Sequence, residues 1–594
     1  MKKWEILHQV KSQKSKVKSA IKNSKLEIIQ LINILLENRG IKTKKEVKEF
    51  LNPKLENVTA ESVGIKKTEL KKTLLRINKA IKEKEQIVVF GDYDADGVCA
   101  TAIAWETLNS IGANVMPYIP HRVDEGYGLS IKGIQNILAT SSDLNKTKLI
   151  ITVDNGIVAN EAVEFANQQG VEVIITDHHL PGKKLPKAFA IIHSVKVCGG
   201  GVSWLFSQEI TNYKLQNSKN QKKDKILSQI QDDKLSAGLE LAAIATIGDL
   251  MPLIGPNRAI VKHGLVKLRD TKRIGLLEIY KEAVLEKSQI GVYEVGHVIA
   301  PRLNATGRME HAMDSLRLLC TLNRERAKNL AFKLGSTNKQ RQQLTTETTE
   351  HAKNGIRNNE SGIKNLLFIA HESYQQGVIG LVAGRLVEEY YRPAIVISKG
   401  EKFSKASARS VSGFNIIEFI REASEFLIDC GGHPMAAGFT VATDKLDLLQ
   451  KKFEELAEKL LDGEKLVRKL RVDCELALEN INQELYDEIQ KLSPFGMGNP
   501  EPVFVSRGVQ IEDFRVVGRD GKHLQFKFRI RNQESGIKGI GFGMGDLKLK
   551  IGDKVDIAYT IDEDDWLVRR SSAGQNEGGN GNKRLQLKIK DIKN

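Results

Sequence analysis

Apolar and polar positions follow three regimes along the chain. Before about residue 84 the apolar positions recur with helical spacing. They do so over 26–36 and again over 66–84, where Leu70, Leu74, Leu75, Ile77 and Ile81 predict one apolar side of a basic helix. Asn52-Pro53 predicts a helix stop between the two. From Ile87 onward, runs rich in β-branched residues at 87–90, 115–119, 149–153 and 171–175 alternate with helix-compatible stretches, among them 98–111 and 161–168. That order predicts an α/β domain with a parallel sheet covered on both faces. A helix over 239–247 delivers Gly248-Asp249-Leu250 at its end. A charged helix capped by Asn323 runs to about Lys353 as a connector. Strand and helix signals restart at 366–369, 380–390 and 394–397 and mark a second, smaller α/β domain. Beyond about Leu470, short strands at 504–511, 524–530, 554–560 and 585–589 with glycine turns predict a small β-barrel. The polar stretch 214–234 reads as a helix surface or a flexible insertion, and the Gly/Asn/Ser-rich 571–582 as a mobile hairpin tip.

At 594 residues the chain has room for about three to five domains. A net charge of +16 favours a polyanionic partner. Cys99, Cys198, Cys320, Cys430 and Cys474 are odd in number and form no C-x-x-C pair, which predicts reduced thiols and no zinc cluster. No apolar run is long enough to span a membrane. The start, Met1-Lys2-Lys3-Trp4, turns polar again by Lys11 and Ser12, so the expectation is a soluble, cytoplasmic protein.

The chemistry concentrates in Gly91-Asp92-Tyr93-Asp94-Ala95-Asp96-Gly97, where a buried strand hands over to a helix. Three acids alternating in five residues repel one another, and a divalent cation would relieve that repulsion. An EF-hand loop opens the same way. It requires Glu at the twelfth position and a helix in front, whereas counting from Asp92 the twelfth residue is Ile103 and a strand precedes. A solvated acidic turn is the blander alternative. Two further strands end in Asp154-Asn155-Gly156 and Asp177-His178-His179, and in a parallel sheet all of these meet at the carboxyl edge. Singly, each is more often a cap or a core residue; together at one edge, Asp94, Asp96, Asp154, His178 and Asp249 form a carboxylate-rich set suited to Mn²⁺ or Mg²⁺. Two ions about 3.5 to 4 Å apart would activate water and neutralise a phosphoryl centre, with Asp154 as bridge and His179 facing the substrate phosphate.

Asp92 to Gly97, Val153-Asp154-Asn155-Gly156, Thr176-Asp177-His178-His179 and Gly248-Asp249-Leu250 resemble the four successive motifs of the DHH phosphoesterases. Gly431-Gly432-His433-Pro434-Met435-Ala436-Ala437-Gly438 resembles the glycine-rich motif of the DHH-associated domain. The segments 301–308 and 494–501 resemble those of the superfamily's single-strand-specific 5′-to-3′ exonucleases, and the likeness covers nearly the whole chain in order. It implies an N-terminal helical segment over 1–60, a DHH catalytic domain over 61–310 and connecting helices over 311–355. A DHH-associated domain over 356–465 and an OB-fold over 466–594 follow. It further implies metal ligation by Asp94, Asp96, Asp154, His178 and Asp249, His179 beside the scissile phosphate, and Asp92 and Asp177 as carboxylates that orient the ligands.

The implied reaction is two-metal hydrolysis of single-stranded DNA to 5′-mononucleotides in DNA repair and recombination. A monomer is expected, with a helicase and a single-strand-binding protein as partners. A phosphodiesterase of the same superfamily acting on nanoRNA or cyclic dinucleotides is the alternative. The chain departs from the family at Gln375, where His is common, and at His193-Ser194, where Asn-Pro is usual. Candidate phosphate contacts are Arg122, Arg302, Asn304, Arg308, Arg409 with Ser410, and His433 beside an anion nest of Gly431 and Gly432; Tyr127 is a candidate base stacker. In the barrel, Phe526, Lys527 and Arg529 fit an ordinary half-buried strand as well as a nucleic-acid groove. Gly541-Phe542-Gly543-Met544-Gly545 reads as a bulged strand.

Overall fold

The structure, a computed structural model, describes every residue except 1, 9–23, 123, 141–145, 218–236, 358–363, 462, 519, 532–534, 565–583 and 594. The tip at 571–582 and most of 214–234 therefore lie outside the described residues. Two compact units emerge: Lys54–Val467, and a second that joins Met1–Pro53 to Arg468–Asn594. Among the described residues no helix is long and apolar enough to cross a membrane.

The chain enters on a strand, β1 (Lys3–His8), which belongs to the second unit. In the larger unit, β2 (Gln86–Phe90), β3 (Val115–Tyr118), β4 (Thr147–Val153), β5 (Glu172–Asp177) and β6 (Ala190–His193) form an all-parallel sheet of order β3-β2-β4-β5-β6. Its central strands are apolar on both faces because both are covered. Ile87, Val89, Leu149 and Ile151 pack with the helices Ala95–Ser110 and Leu239–Gly248. Val88, Phe90, Ile150, Val173 and Ile175 pack against the helices Ile131–Thr140 and Asn160–Gln168.

The basic helix is Lys67–Lys82, but its buried side is Leu70, Thr73, Arg76, Ile77 and Ala80, and Leu75 points to solvent. Arg76 takes the place expected for a leucine because Glu85, at 2.6 Å, and Glu172 both receive its guanidinium. The segment 301–308 lies inside the helix Ala300–Met309, entered through a π-turn at Val295–Ile299. Arg324–Arg357 then forms one helix of 34 residues, and Asn323 Oδ1 accepts from the Arg326 amide at 2.9 Å, as its capping role requires.

The second sheet of this unit holds β7 (Leu367–His371), β8 (Ala394–Ser398), β9 (Phe403–Arg409), β10 (Leu427–His433) and β11 (Ala436–Ala442) in the order β10-β11-β9-β8-β7. Only β7 and β8 run parallel. The helix Ile379–Tyr390 covers one face through Val382 and Leu386. The helices Ile416–Arg421 and Leu446–Leu460 cover the other.

In the second unit, β12 (Lys469–Glu475) precedes β13 (Phe504–Val517), β14 (His523–Phe528), β15 (Ile537–Gly541), β16 (Lys554–Glu563) and β17 (Leu585–Lys593). The order β13-β14-β15-β17-β16, with β16 pairing back to β13, closes a five-stranded barrel. Phe526 and Phe528 fill its interior while Lys527 pairs outward with Glu512 at 2.9 Å, the ordinary half-buried strand. Gly541 ends β15, and the residues that follow form a turn rather than a bulged strand.

The expectation of a purely helical N-terminal segment is corrected by β1. It pairs in parallel with β12, and Trp4 and Ile6 pack with Val472, Val505 and Ala558. Two apolar residues alternating beside a lysine- and serine-rich run are too short a signal to reveal a strand whose partner lies far along the chain. The helices Ser24–Glu37 and Lys44–Leu51 do form, and Leu35, Leu36 and Phe50 join the barrel core.

Candidate metal centre

The acids are set by how β2 becomes a helix. Asp94 caps the helix Ala95–Ser110, its Oδ1 accepting from the Gly97 amide at 3.0 Å, while the Ala95 amide donates to Asn304 Oδ1 at 2.6 Å. Gly97 is obligatory here, since a Cβ would run into the Asp92 backbone. Asp96, on the first turn and 2% exposed, accepts from the amides of Gly199 at 2.8 Å and Gly200 at 2.6 Å. Those amides open the helix Gly199–Asn217, whose N-terminus favours negative charge. A Cβ on Gly199 would collide with Asp154, which explains a glycine run that carries no signal of its own in the sequence.

Asp154 follows β4 in the left-handed conformation, φ +63°, a strained choice for a non-glycine residue that turns its carboxylate toward the other acids. His178 Nε2 lies 3.0 Å from Asp154 Oδ1 and 3.6 Å from Asp96 Oδ2, and His178 Nδ1 lies 3.8 Å from Asp249 Oδ2. Four segments thus converge at the carboxyl edge of the sheet. Ligand-capable atoms gather into three groups: Asp92, Asp94 and Asp154; Asp154, His178 and His179; and Asp96, His178 and Asp249. Asp154 and His178 each belong to two of them.

The electrostatics are those of a site that wants a cation. Burial, then the charge of Asp94, pushes Asp96 up to about 6, and burial followed by Asp96 and Asp94 pushes Asp249 up to about 8. Asp92 and Asp154 are raised by the same two causes. Burial, then His179, lowers His178 to about 4, leaving a neutral imidazole able to ligate. Asp92 Oδ1 and Asp154 Oδ1 are buried and have no hydrogen-bond donor among the described residues; the His178 contact falls outside hydrogen-bonding geometry. Bare carboxylate oxygens among like charges, with one imidazole, fit a hard divalent cation such as Mn²⁺ or Mg²⁺.

Asp177 differs in kind from Asp92. It accepts from the amides of Ile157 at 2.9 Å, His178 at 2.7 Å and His179 at 3.1 Å, and pairs with His179 Nδ1 at 2.8 Å. Burial opposes a charge on His179, but this pairing overcomes it and lifts His179 to about 9. His179 Nε2 meets the Tyr127 hydroxyl at 2.9 Å, and Tyr127 is half exposed.

Of the candidate phosphate contacts, Arg122, Arg308 and Arg409 are gathered together. Burial, then Arg122 and Arg341, lowers Arg308 to about 10, and burial followed by Arg122 lowers Arg409. None of the three forms an ion pair among the described residues: Arg122 lies 5.0 Å over the Tyr93 ring, Arg308 reaches the Gly377 carbonyl, and Arg409 bonds Ser407 and the Ala408 carbonyl. His433 lies near enough to bear on His178.

The other candidates have different occupations. Arg302 is committed to Glu282 at 2.6 Å and to the Val298 carbonyl. Asn304 is taken up by Ala95, and buried Ser410 donates to the Phe414 carbonyl at 2.6 Å. Gly431 and Gly432 lie in β10, paired with Gly438 and Ala437, and Gly432 takes φ +143°, so the two amides belong to a strand pairing rather than to the expected concave nest.

Sequence reasoning missed Arg341, on the long helix, and two glycines that let three segments touch. A Cβ on Gly307 would strike the Tyr93 carbonyl, and one on Gly377 the Arg308 carbonyl. His193 and Ser194, in the sequence a departure expected to reshape the loop before Gly199, are engaged locally: His193 Nε2 lies 2.7 Å from the His179 carbonyl, and Ser194 donates to the Val63 carbonyl at 2.8 Å.

Three family models match the chain in succession: the DHH family N-terminal domain over 86–239, the DHHA1 domain over 363–459 and the RecJ OB domain over 472–591. The single-stranded-DNA-specific exonuclease RecJ of Bacillus subtilis is 35% identical over 599 residues, covering 99% of this chain and 70% of that protein. The RecJ of Thermus thermophilus is 31% identical over 506 residues, covering 84% and 69%. Among solved structures, RecJ from Thermus thermophilus in complex with Mn²⁺ superimposes with a TM-score of 0.77 at 26% identity, covering 100% of this chain and 79% of that one. The carboxylate edge, the domain succession and these likenesses agree: the chain belongs to the RecJ family of single-stranded-DNA-specific exonucleases.

Proposed function

We propose that the protein hydrolyses single-stranded DNA from its 5′ end in DNA repair and recombination, releasing 5′-mononucleotides, and that it does so with two divalent cations, Mn²⁺ or Mg²⁺. The observation that carries the reading is the sharing of Asp154 and His178 between neighbouring ligand groups, the arrangement a pair of ions needs. Asp94, Asp96, Asp154, His178 and Asp249 hold the ions. The bare Oδ1 of Asp92 joins Asp94 and Asp154 as a ligand rather than serving only to orient them. When bound, such ions supply an activated water and neutralise charge at the phosphoryl centre.

The protein's own groups do the rest. Asp177 fixes the His179 ring through Nδ1, so that Nε2 and the Tyr127 hydroxyl present donors to a substrate oxygen. Arg122, Arg308 and Arg409, gathered without carboxylate partners, take the terminal 5′-phosphate and so set the polarity. His433 approaches the same phosphate edge beside His178.

The test is Asp154→Ala, with product analysis on end-labelled strands. The variant should fold, lose manganese binding and release no mononucleotide. Near-normal degradation by that variant would refute the assignment. Faster turnover of a dinucleotide than of a long strand by the wild type would favour the small-substrate phosphodiesterase.

A further inference from the structure

The run Gly541-Phe542-Gly543-Met544-Gly545 has no part in the chemistry above, and its folded form is unusual for a plain turn. Gly543 takes φ +69° and donates from its amide to His523 Nδ1 at 3.1 Å; the Gly545 amide donates to the Lys522 carbonyl at 3.0 Å. A Cβ at Gly541 would meet Met544 Sδ, and one at Gly545 would strike the Gly521 carbonyl. The three glycines therefore let this turn close tightly onto the turn that joins β13 to β14. The result is a fixed loop that holds the Phe542 ring outward, 62% exposed, edge-on to His523 with centroids 5.3 Å apart. A core has no use for a phenylalanine displayed this way.

Beside the ring lies a cavity of about 540 Å³, within the range of small-ligand sites. Met544, Leu547 and Ile592 give it apolar wall. Of its charged residues, Asp591 is engaged by Trp4 Nε1 and Lys588 by Asp562. Asp546 also lines it, with Lys2, whose ammonium donates to the Lys590 carbonyl and lies close enough to Asp591 to feel its charge, and Lys590, whose ammonium meets no carboxylate among the described residues. An exposed aromatic face over an apolar, lysine-edged hollow suits one unstacked nucleotide, its base against the ring and its phosphate toward the lysines.

We propose that Phe542 is a base-stacking platform for single-stranded DNA, with Lys2 and Lys590 as its phosphate contacts. The inference rests on the reading that single strands are the substrate, and it adds a residue-level binding site within the barrel unit, at a motif with no catalytic duty. The test uses the full-length protein with metal chelated, so that a labelled oligothymidylate is bound and not cut. Phe542→Ala should weaken binding roughly 5- to 100-fold, and Phe542→Trp should restore it and show indole fluorescence quenched on binding. Hydrolysis of a dinucleotide with manganese restored should be unchanged in both variants, which establishes that they are folded. Wild-type affinity in Phe542→Ala, or an unquenched indole in Phe542→Trp, overturns this inference and leaves the exonuclease reading standing. A wild type that binds no strand at all overturns both.

Discussion

Cation binding at the carboxylate edge should be steeply dependent on pH, and the slope follows from the acids themselves. In the metal-free protein Asp249 sits at about 8 and Asp96 at about 6, whereas an unperturbed aspartate sits at 3.8. A carboxylate must be deprotonated to ligate, so at pH 6 a group with a pKa near 8 resists the ion by about 100-fold relative to pH 9. His178, at about 4, adds no such cost above pH 5. Apparent Mn²⁺ affinity should therefore rise about tenfold per pH unit between pH 6 and 8 and level off above that.

The same shifts fix the sign for stability. Folded values raised above the unfolded 3.8 mean that protonation favours the metal-free fold. That contribution is complete below pH 3.8 and is lost as the pH climbs through about 6 and then about 8. The metal-free Tm should fall over that window and the manganese-induced rise in Tm should grow. Calorimetric titration in two buffers of different ionisation enthalpy counts the protons directly. Release of less than about half a proton per protein at pH 7, or an affinity flat from pH 6 to 8, would refute the reasoning.

Arg308→Gln should erase most of the preference for a 5′-phosphorylated over a 5′-hydroxyl strand, a loss of about 10- to 100-fold in the ratio of kcat/KM values, because a charge-assisted contact is removed. An unaltered ratio would place the terminal phosphate elsewhere. Asn304→Ala leaves the Ala95 amide without its acceptor and should cost about 1 kcal/mol in urea unfolding along with weaker manganese binding, while Asn304→Asp keeps both. Arg273→Ala should destabilise the larger unit by about 3 to 5 kcal/mol, since the guanidinium holds Glu106 at 2.6 Å and Glu240 at 3.2 Å and its loss strands two carboxylates. A change under about 1 kcal/mol in the denaturation midpoint would show those acids to be well hydrated.

The candidate ligands were legible in the sequence for a physical reason: each follows a strand or helix end, so a few adjacent residues announce both the element and the group it delivers. Asp154 after β4 and His178 after β5 could be set at one edge from the parallel pattern alone. The residues that hold those ligands still were not legible. Asn304 reaches Ala95 across 209 positions, and nothing near either residue signals the contact. Leu75 looked like part of an apolar face until Glu85 and Glu172 offset the cost of burying Arg76 in its place. The candidate phosphate contacts divide the same way. Arg122, Arg308 and Arg409 meet no carboxylate among the described residues, whereas Arg302 finds Glu282, a partner only the folded chain supplies.

Hydrogen-bond supply separates acids that look alike in the sequence. Asp96 and Asp177 are surrounded by donors, two glycine amides for the first, and three amides and an imidazole for the second. Asp92 and Asp154 are equally buried, yet each keeps an oxygen without a donor. Fold stability gives no reason to leave a buried carboxylate bare, because the unpaired oxygen costs on the order of 1 to 3 kcal/mol or more. A site that must receive a cation gives one: a donor placed there would have to be displaced before the ion could bind. Gly199 makes the point locally. It gives its amide to Asp96 while passing so close to Asp154 that no side chain fits, and still leaves Asp154 Oδ1 open. Asp92 and Asp177, alike in the sequence, therefore differ in the fold: Asp177 holds a histidine in place, whereas Asp92 keeps an open oxygen within reach of Asp94 and Asp154.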